Sequence, residues 1–264
     1  DELRYLNWIS QSCCRSMLVD VHCHLTDKVF QDKLDEIVSE AKKIGVRALV
    51  SSGLGLIDSL KVLEISDYRN VFPSIGIMPY ELEGYEEVIE LIEKNSDKIV
   101  AVGEVGLDYH IYTAVDRGLQ EKVFIEFINL AERLDLPIIV HSRSAGRYAL
   151  EILFKHNAEK VIMHAFDGSA SHAIEGVRKG YYFSIPPSIV RSQQKQKLVK
   201  RLPIENLLLE SDAPALSPVL GEVNKPSNIK ISIEWISRLK NISTGKVEEV
   251  TTENALKILK INLI

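Results

Sequence analysis

Residues 18–25 read LVDVHCHL, an apolar, β-prone run carrying His22 and His24 two positions apart. In a strand, alternate side chains share a face, so the two imidazoles are expected to project together, with Asp20 beside them. Neutral imidazole is the commonest protein ligand for zinc and the transition metals. The run therefore predicts half of a metal site at a strand end. The simpler reading is a polar strand end whose histidines merely meet water. The rest of the chain decides between the two.

Outward from this run, short β-branched stretches alternate with helical ones. Strands are predicted over 18–25, 48–53, 71–77, 99–108, 137–143, 161–166, 180–185 and 207–212. Between them, Leu34, Ile37, Val38 and Ala41 fit a helical stripe, as do Val88, Leu91 and Ile92, and Val123, Phe124, Phe127, Leu130, Ala131 and Leu134. Further helices are expected over 229–240 and 247–259. Strands alternating with helices of this length indicate parallel βαβ units. The runs ALVSSG, PIIVHSR and LLLESD are nearly continuous in apolar residues, as strands are when both sheet faces are covered. The count and the 264-residue length best suit an α/β fold of the (β/α)8 TIM-barrel type. An open doubly wound sheet would want a glycine-rich phosphate loop, and SSGLGLID lacks the spacing. One TIM-barrel domain is expected over 17–264. Residues 1–16, DELRYLNWISQSCCRS, do not share the pattern and read as an N-terminal extension ahead of Met17, not part of the native fold.

Composition narrows the class. Hydrophobic residues make up 45% and charged residues 26% of the chain, which suits a globular protein with an ample core. No apolar run approaches the roughly 20 residues of a membrane span. Residues 1–16 have neither the basic start nor the apolar centre of a secretion signal. Cys13 and Cys14 are adjacent, which suits no disulfide, and Cys23 faces away from the histidines by alternation. These features point to a cytoplasmic protein, and nothing calls for an obligate protein partner. The net charge of −5 argues against a long basic grip on nucleic acid, but not against a small phosphate site built on metal ions.

In such a barrel the active site lies at the C-terminal ends of the strands. The fourth strand carries Glu104 in VGEVGLDY, and the fifth ends in His141. The sixth ends in His164 and the eighth in Asp212. A lone histidine at a strand end is more often a hydrogen-bonded structural residue, and Asp212 before Ala-Pro reads equally as a turn former. All six in register are better explained as one metal site. Histidine with carboxylate suits an open catalytic site for zinc or manganese, and magnesium where substrate phosphates add oxygens. Six donors exceed one tetrahedral ion, so two divalent ions are expected. Glu104 would bridge them, with His22, His24 and Asp212 on one side and His141 and His164 on the other. Such a pair acidifies a bridging water, and Asp212 is placed to act as its general base.

The ordered set DVHCHL, GEVGLDY, HSR-SA, HAFDGS and ESDAP resembles the TatD family of metal-dependent deoxyribonucleases within the amidohydrolase-like barrels. The resemblance runs from Met17 to the end, with TTENALKIL similar to the family's closing helix. It implies a (β/α)8 barrel, divalent metals and phosphodiester hydrolysis, often as an exonuclease on DNA, with single strands or strand ends as substrate. The family's metal ligands map onto His22, His24, Glu104, His141, His164 and Asp212. Two departures concern the substrate. Where the family usually has G-x-H-P-H, this chain has Gly76-Ile77-Met78-Pro79-Tyr80, and where it often has R-N-E-P, this chain has Val223-Asn224-Lys225-Pro226.

Arg143, two residues beyond His141, is the expected phosphate contact, with Tyr80 and Lys225 as further substrate-binding residues. Arg191, Lys195, Lys197, Lys200 and Arg201 fall on a helical stretch and are expected to form a solvated face. Ser142 lacks the partner pattern of a serine nucleophile. A metal-dependent deoxyribonuclease is thus the leading reading. The alternatives are an amide or ester hydrolase on the same barrel, and a barrel without activity that serves as a binding protein.

Overall fold

β-branched and leucine-rich runs become eight strands in the computed structural model, which describes residues 17–66, 70–110 and 113–263. The strands are β1 (Leu18–Cys23), β2 (Val46–Ser52), β3 (Val71–Ile75), β4 (Ala101–Gly106), β5 (Ile138–His141), β6 (Val161–Met163), β7 (Tyr182–Ile185) and β8 (Leu207–Leu209). They lie side by side in chain order, each parallel to the next. At the C-terminal end the ring is joined by two backbone bonds: Asp212 N–H donates to His22 O at 2.9 Å and His24 N–H to Ala213 O at 2.8 Å. The architecture is the (β/α)8 barrel expected. Residues 1–16, including Cys13 and Cys14, lie outside the described residues.

Helices follow the strands in turn. They are α1 (Leu34–Lys43), α2 (Leu56–Ile65), α3 (Tyr85–Lys94), α4 (Arg117–Arg133), α5 (Gly146–Lys155), α6 (Ala170–Arg178), α7 (Gln193–Arg201), α8 (Ile229–Lys240) and α9 (Thr244–Leu259). Side-chain caps start several of them, with Asp116, Ser169, Ser192 and Ser243 each accepting from a backbone N–H of the first turn. Ile37, Val38 and Ala41 of α1 are buried, as are Val88 and Ile92 of α3 and the long apolar stripe of α4. Among the described residues, no helix is long and apolar enough to cross a membrane.

Two apolar clusters divide the core. The larger lies between strands and helices and contains Leu18, Cys23 and Leu25 of the first strand region. The smaller gathers Val19, Val21, Ala48, Val50, Ala101, Ile139, Ile162 and Leu208 from around the barrel, with Ala255, Ile258 and Leu259 of α9. These alternate strand residues fill the barrel interior, and α9 closes its N-terminal end. Thr252 of α9 donates to Met17 O at 2.7 Å, and Asn254 donates to Leu207 O at 2.9 Å, anchoring that helix to the first and last strands.

The alternation in β1 is not strict. Val19 and Val21 face the interior, yet His22 and His24 also turn to the barrel mouth, because the β1–β2 register shifts between Asp20 and Cys23. Asp20 therefore does not join the histidines as expected. Its carboxylate accepts from Ser211 Oγ at 2.6 Å and Ser211 N at 2.9 Å, tying β1 to the end of β8. Cys23 packs in the outer cluster, on the side away from its neighbours His22 and His24 as expected, because the same shift turns it outward.

Candidate metal centre

Glu104 lies at the centre of the mouth, 1% exposed. Its Oε2 is 3.1 Å from His22 Nε2 and 3.4 Å from His24 Nε2, while Oε1 is 2.6 Å from His141 Nδ1 and 3.7 Å from His164 Nε2. Asp212 Oδ1 completes the ring at 3.4 Å from both His22 and His24 and 3.7 Å from His164. Two triplets, His22/His24/Asp212 and His22/Glu104/His164, hold donor atoms within 4.8 Å of one another. His141 belongs to neither triplet and stands against Glu104 instead. All six residues predicted from strand ends converge.

Each histidine is oriented from behind. His24 Nδ1 donates to Ser52 O at 3.1 Å, and His164 Nδ1 donates to Glu210 Oε2 at 2.6 Å, which leaves both Nε2 atoms turned to the centre. His22 Nδ1 meets Ser52 Oγ at 3.0 Å. His141 presents Nδ1 to Glu104 and rests its Nε2 on Asp108 Oδ2 at 3.0 Å. A buried ring nitrogen facing carboxylates and making no hydrogen bond is a cation's place, and His22 Nε2 is such an atom. The donor set of imidazoles and carboxylates fits divalent ions.

Charges in the centre brace one another. Burial works against ionised Glu104, but the His164 and His22 rings hold its carboxyl well below the ordinary range. Burial likewise opposes charge on His22, and Glu104 with Asp212 outweighs it, raising its pKa well above the usual imidazole value. His141, against Asp108 and Glu104, is pushed up to about 9 despite its burial.

Close backbone approach sets Glu104 in place. A Cβ on Gly76, at the end of β3, would fall on the Glu104 carbonyl oxygen and 2.6 Å from its nitrogen. Gly106, at φ +145°, likewise has its Cβ position filled by the His141 backbone. Gly76→Ala is expected to cost about 1–3 kcal/mol by overpacking and to displace Glu104. Thermal unfolding together with metal titration checks both effects.

The centre opens into a cavity of about 500 Å³ whose lining includes Asp27, Met78, Tyr80, Arg143, Asp167 and Lys195. Met78 and Tyr80, which depart from the family pattern, both face substrate space. Arg143 is held by Asp108 Oδ2, 2.9 Å from its Nε and 2.9 Å from its Nη2. One carboxylate thus positions both His141 and Arg143.

Lys225 is placed elsewhere. It is not among the residues lining the cavity, and its ammonium pairs with Glu40 of α1 at 2.9 Å, where Ser227 also donates. The extended backbone at Lys225 carries its side chain towards α1, so the structure does not support it as a phosphate contact. Lys225→Met is expected to leave hydrolysis within twofold of the parent. Stability should fall by no more than about 1 kcal/mol, as for exposed pairs. Lys225 and Ser227 lower the Glu40 pKa. That small contribution is therefore present above the ordinary glutamate pKa and lost as pH falls through the lowered value. Denaturant titration at two pH values measures it.

Four contributors were not anticipated from sequence: Ser52, Asp108, Glu210 and Lys195. Glu210 is two residues before Asp212 and two after the interior Leu208, so strict alternation would have flagged it. Lys195 was expected on a solvated face but is 9% exposed. It shares the buried side of α7 with Leu198 and Val199, at helical spacing i, i+3 and i+4. Burial lowers its pKa from the ordinary lysine value.

Comparison with known proteins gives concordant matches. The family model for TatD related DNase matches residues 19–260. Deoxyribonuclease TATDN3 of Homo sapiens is 46% identical over 257 residues, covering 91% of this chain and 94% of that protein. The uncharacterized metal-dependent hydrolase YabD of Bacillus subtilis is 35% identical over 256 residues, covering 93% of this chain and 100% of that protein. Among solved structures, the TatD homolog YJJV of Escherichia coli superposes with a TM-score of 0.85 at 25% identity, covering 94% of this chain and 99% of that one.

Proposed function

From the premise that the chain belongs to the TatD related DNase family and is a metal-dependent hydrolase, we propose that it hydrolyses phosphodiester bonds of DNA, as an exonuclease on single strands or strand ends. Two divalent ions would be held by His22, His24, Glu104, His141, His164 and Asp212. The observation that carries this reading is the position of Glu104. One of its oxygens faces the two histidines of the first strand, and the other faces those of the fifth and sixth. A single carboxylate so placed can serve two cations at once.

When bound, such ions acidify a water and stabilise the charge that develops on the phosphoryl oxygens. The chain's own residues do the remainder. The Asp212 carboxylate would accept the proton of the attacking water as general base. Arg143, fixed by Asp108, presents its guanidinium to a phosphate, and the Tyr80 hydroxyl offers a neutral donor across the mouth. Imidazole with carboxylate favours zinc or manganese, and magnesium is admitted where phosphate oxygens complete the shell.

The test is degradation of end-labelled single-stranded DNA by protein stripped of metal and reloaded with zinc, manganese or magnesium. Shortening from one end that requires added ion is expected. No cleavage with any ion, together with turnover of an ester or amide panel, would favour carbon-centred hydrolysis. Absence of turnover on every substrate would leave a binding barrel.

A further inference from the structure

Lys195 is a buried cation without an ion-pair contact. It projects from the first turn of α7 into the cavity that also exposes His164 and Asp212. Its Nζ makes one hydrogen bond, to Ala165 O at 3.2 Å. Among the described residues, no carboxylate forms an ion pair with it; Glu210, Asp167 and Asp212 act on it only at longer range, and burial outweighs them. An ammonium has three donors, and burying it unpaired is costly unless something supplies the missing charge.

Its placement is built, not incidental. Ala165 has a φ of +37°, a conformation that L-residues rarely adopt. That turn lets one residue work in two directions: Ala165 N–H donates to Glu210 Oε1 at 2.9 Å while its carbonyl accepts from Lys195. Glu210 in turn orients His164 at 2.6 Å. Gln194, the neighbour of Lys195, donates to Phe166 O at 3.2 Å and Gly168 O at 2.6 Å, docking the start of α7 on the loop after β6. Lys195 is thereby held in fixed relation to the metal centre, through one residue and one carboxylate.

We propose that Lys195 is a substrate-binding residue, whose ammonium takes a non-bridging oxygen of the phosphate group held at the metal centre. This rests on the phosphodiester reading and names the cation that recognises the reacting group from the β6–β7 side, next to the β5 loop that carries Arg143. The ligand chemistry is a phosphate anion, whether the scissile group of a strand or free phosphate.

The test uses the metal-loaded full chain, comparing wild type with Lys195→Met and Lys195→Gln. Methionine fills similar volume without charge, and glutamine keeps a donor for Ala165 O. Both variants should retain the parent's metal content and Tm. For end-labelled DNA the KM should rise about tenfold or more, as the loss of a charge-assisted contact predicts. The inhibition constant of inorganic phosphate should rise in parallel. Unchanged KM and phosphate inhibition in an active parent would overturn the proposal and leave the nuclease reading standing. So would a lower Tm with reduced kcat at unchanged KM, the signature of a structural prop. If the parent cleaves no phosphodiester, the functional reading fails, and calorimetric titration with inorganic phosphate still decides on Lys195. Binding weakened about tenfold in both variants supports its role, and equal or absent binding in the parent overturns it.

Discussion

Glu104→Gln lowers DNA hydrolysis by about 10³-fold or more, equivalent to roughly 4 kcal/mol of transition-state stabilisation, and removes metal from the protein. Glutamine fills the same volume, so the variant tests charge and ligation without opening a cavity. The amide offers one weaker acceptor where the carboxylate offers two, and its NH2 group meets imidazole nitrogens that need an anion. With Oε2 at 3.1 Å from His22 and Oε1 at 2.6 Å from His141, both halves of the centre lose their shared partner. Metal analysis should show loss of bound divalent ion. The thermal stabilisation that added metal gives the parent, about 2.7 kcal/mol for a site at one hundred times its Kd, should shrink accordingly. Parent-like metal content and rate would refute the bridging role.

The same residue shows how far sequence reading reaches. The barrel was legible because strand and helix periodicities are local properties, repeated eight times with little interruption. The six converging residues were legible because a barrel aims all its strand ends at one mouth. What periodicity missed lies where the backbone ceases to be regular. β6 stops at Met163 and β8 at Leu209, short of His164 and Asp212, because the chain turns at once through Ala165 at φ +37° and Asp212 at φ +55°. The register shift in β1 moved Asp20 off the histidine face. Lys195 was legible in principle, since its spacing from Leu198 and Val199 marks the buried stripe. The surrounding lysines and arginines masked it, because charge runs are usually solvated. Lys225 failed for a different reason. Its partner Glu40 is 185 residues away, and no local pattern announces such a pair.

Asp212→Asn is expected to separate catalysis from folding more cleanly than any other change in the centre. The residue is 7% exposed, and burial alone would raise its pKa. The neighbouring His164, with His22 and His24, outweighs burial and keeps the group ionised far below the ordinary carboxylate range, so it is available as a base at neutral pH. An amide cannot accept a proton from water, and loss of a general base typically costs 10²–10⁴-fold. The rate should therefore fall by about 10³-fold in kcat, with KM changed little because Arg143 and the other substrate contacts remain. The fold should tolerate the change. Asn enters the left-handed region more readily than most residues, so the φ of +55° adds little strain, and the backbone bond from residue 212 to His22 O is untouched. Alanine would confound the result, since it lacks the local side-chain hydrogen bonding that lets Asp and Asn adopt that φ, at a cost of roughly 1 kcal/mol or more, and the buried histidines would face a void. Single-turnover kinetics on end-labelled DNA, with Tm measured in parallel, give the decisive comparison. A variant that keeps its Tm and its metal content but loses kcat assigns the proton transfer to Asp212. One that hydrolyses DNA at the parent's rate removes Asp212 from the chemistry and leaves it a ligand at most.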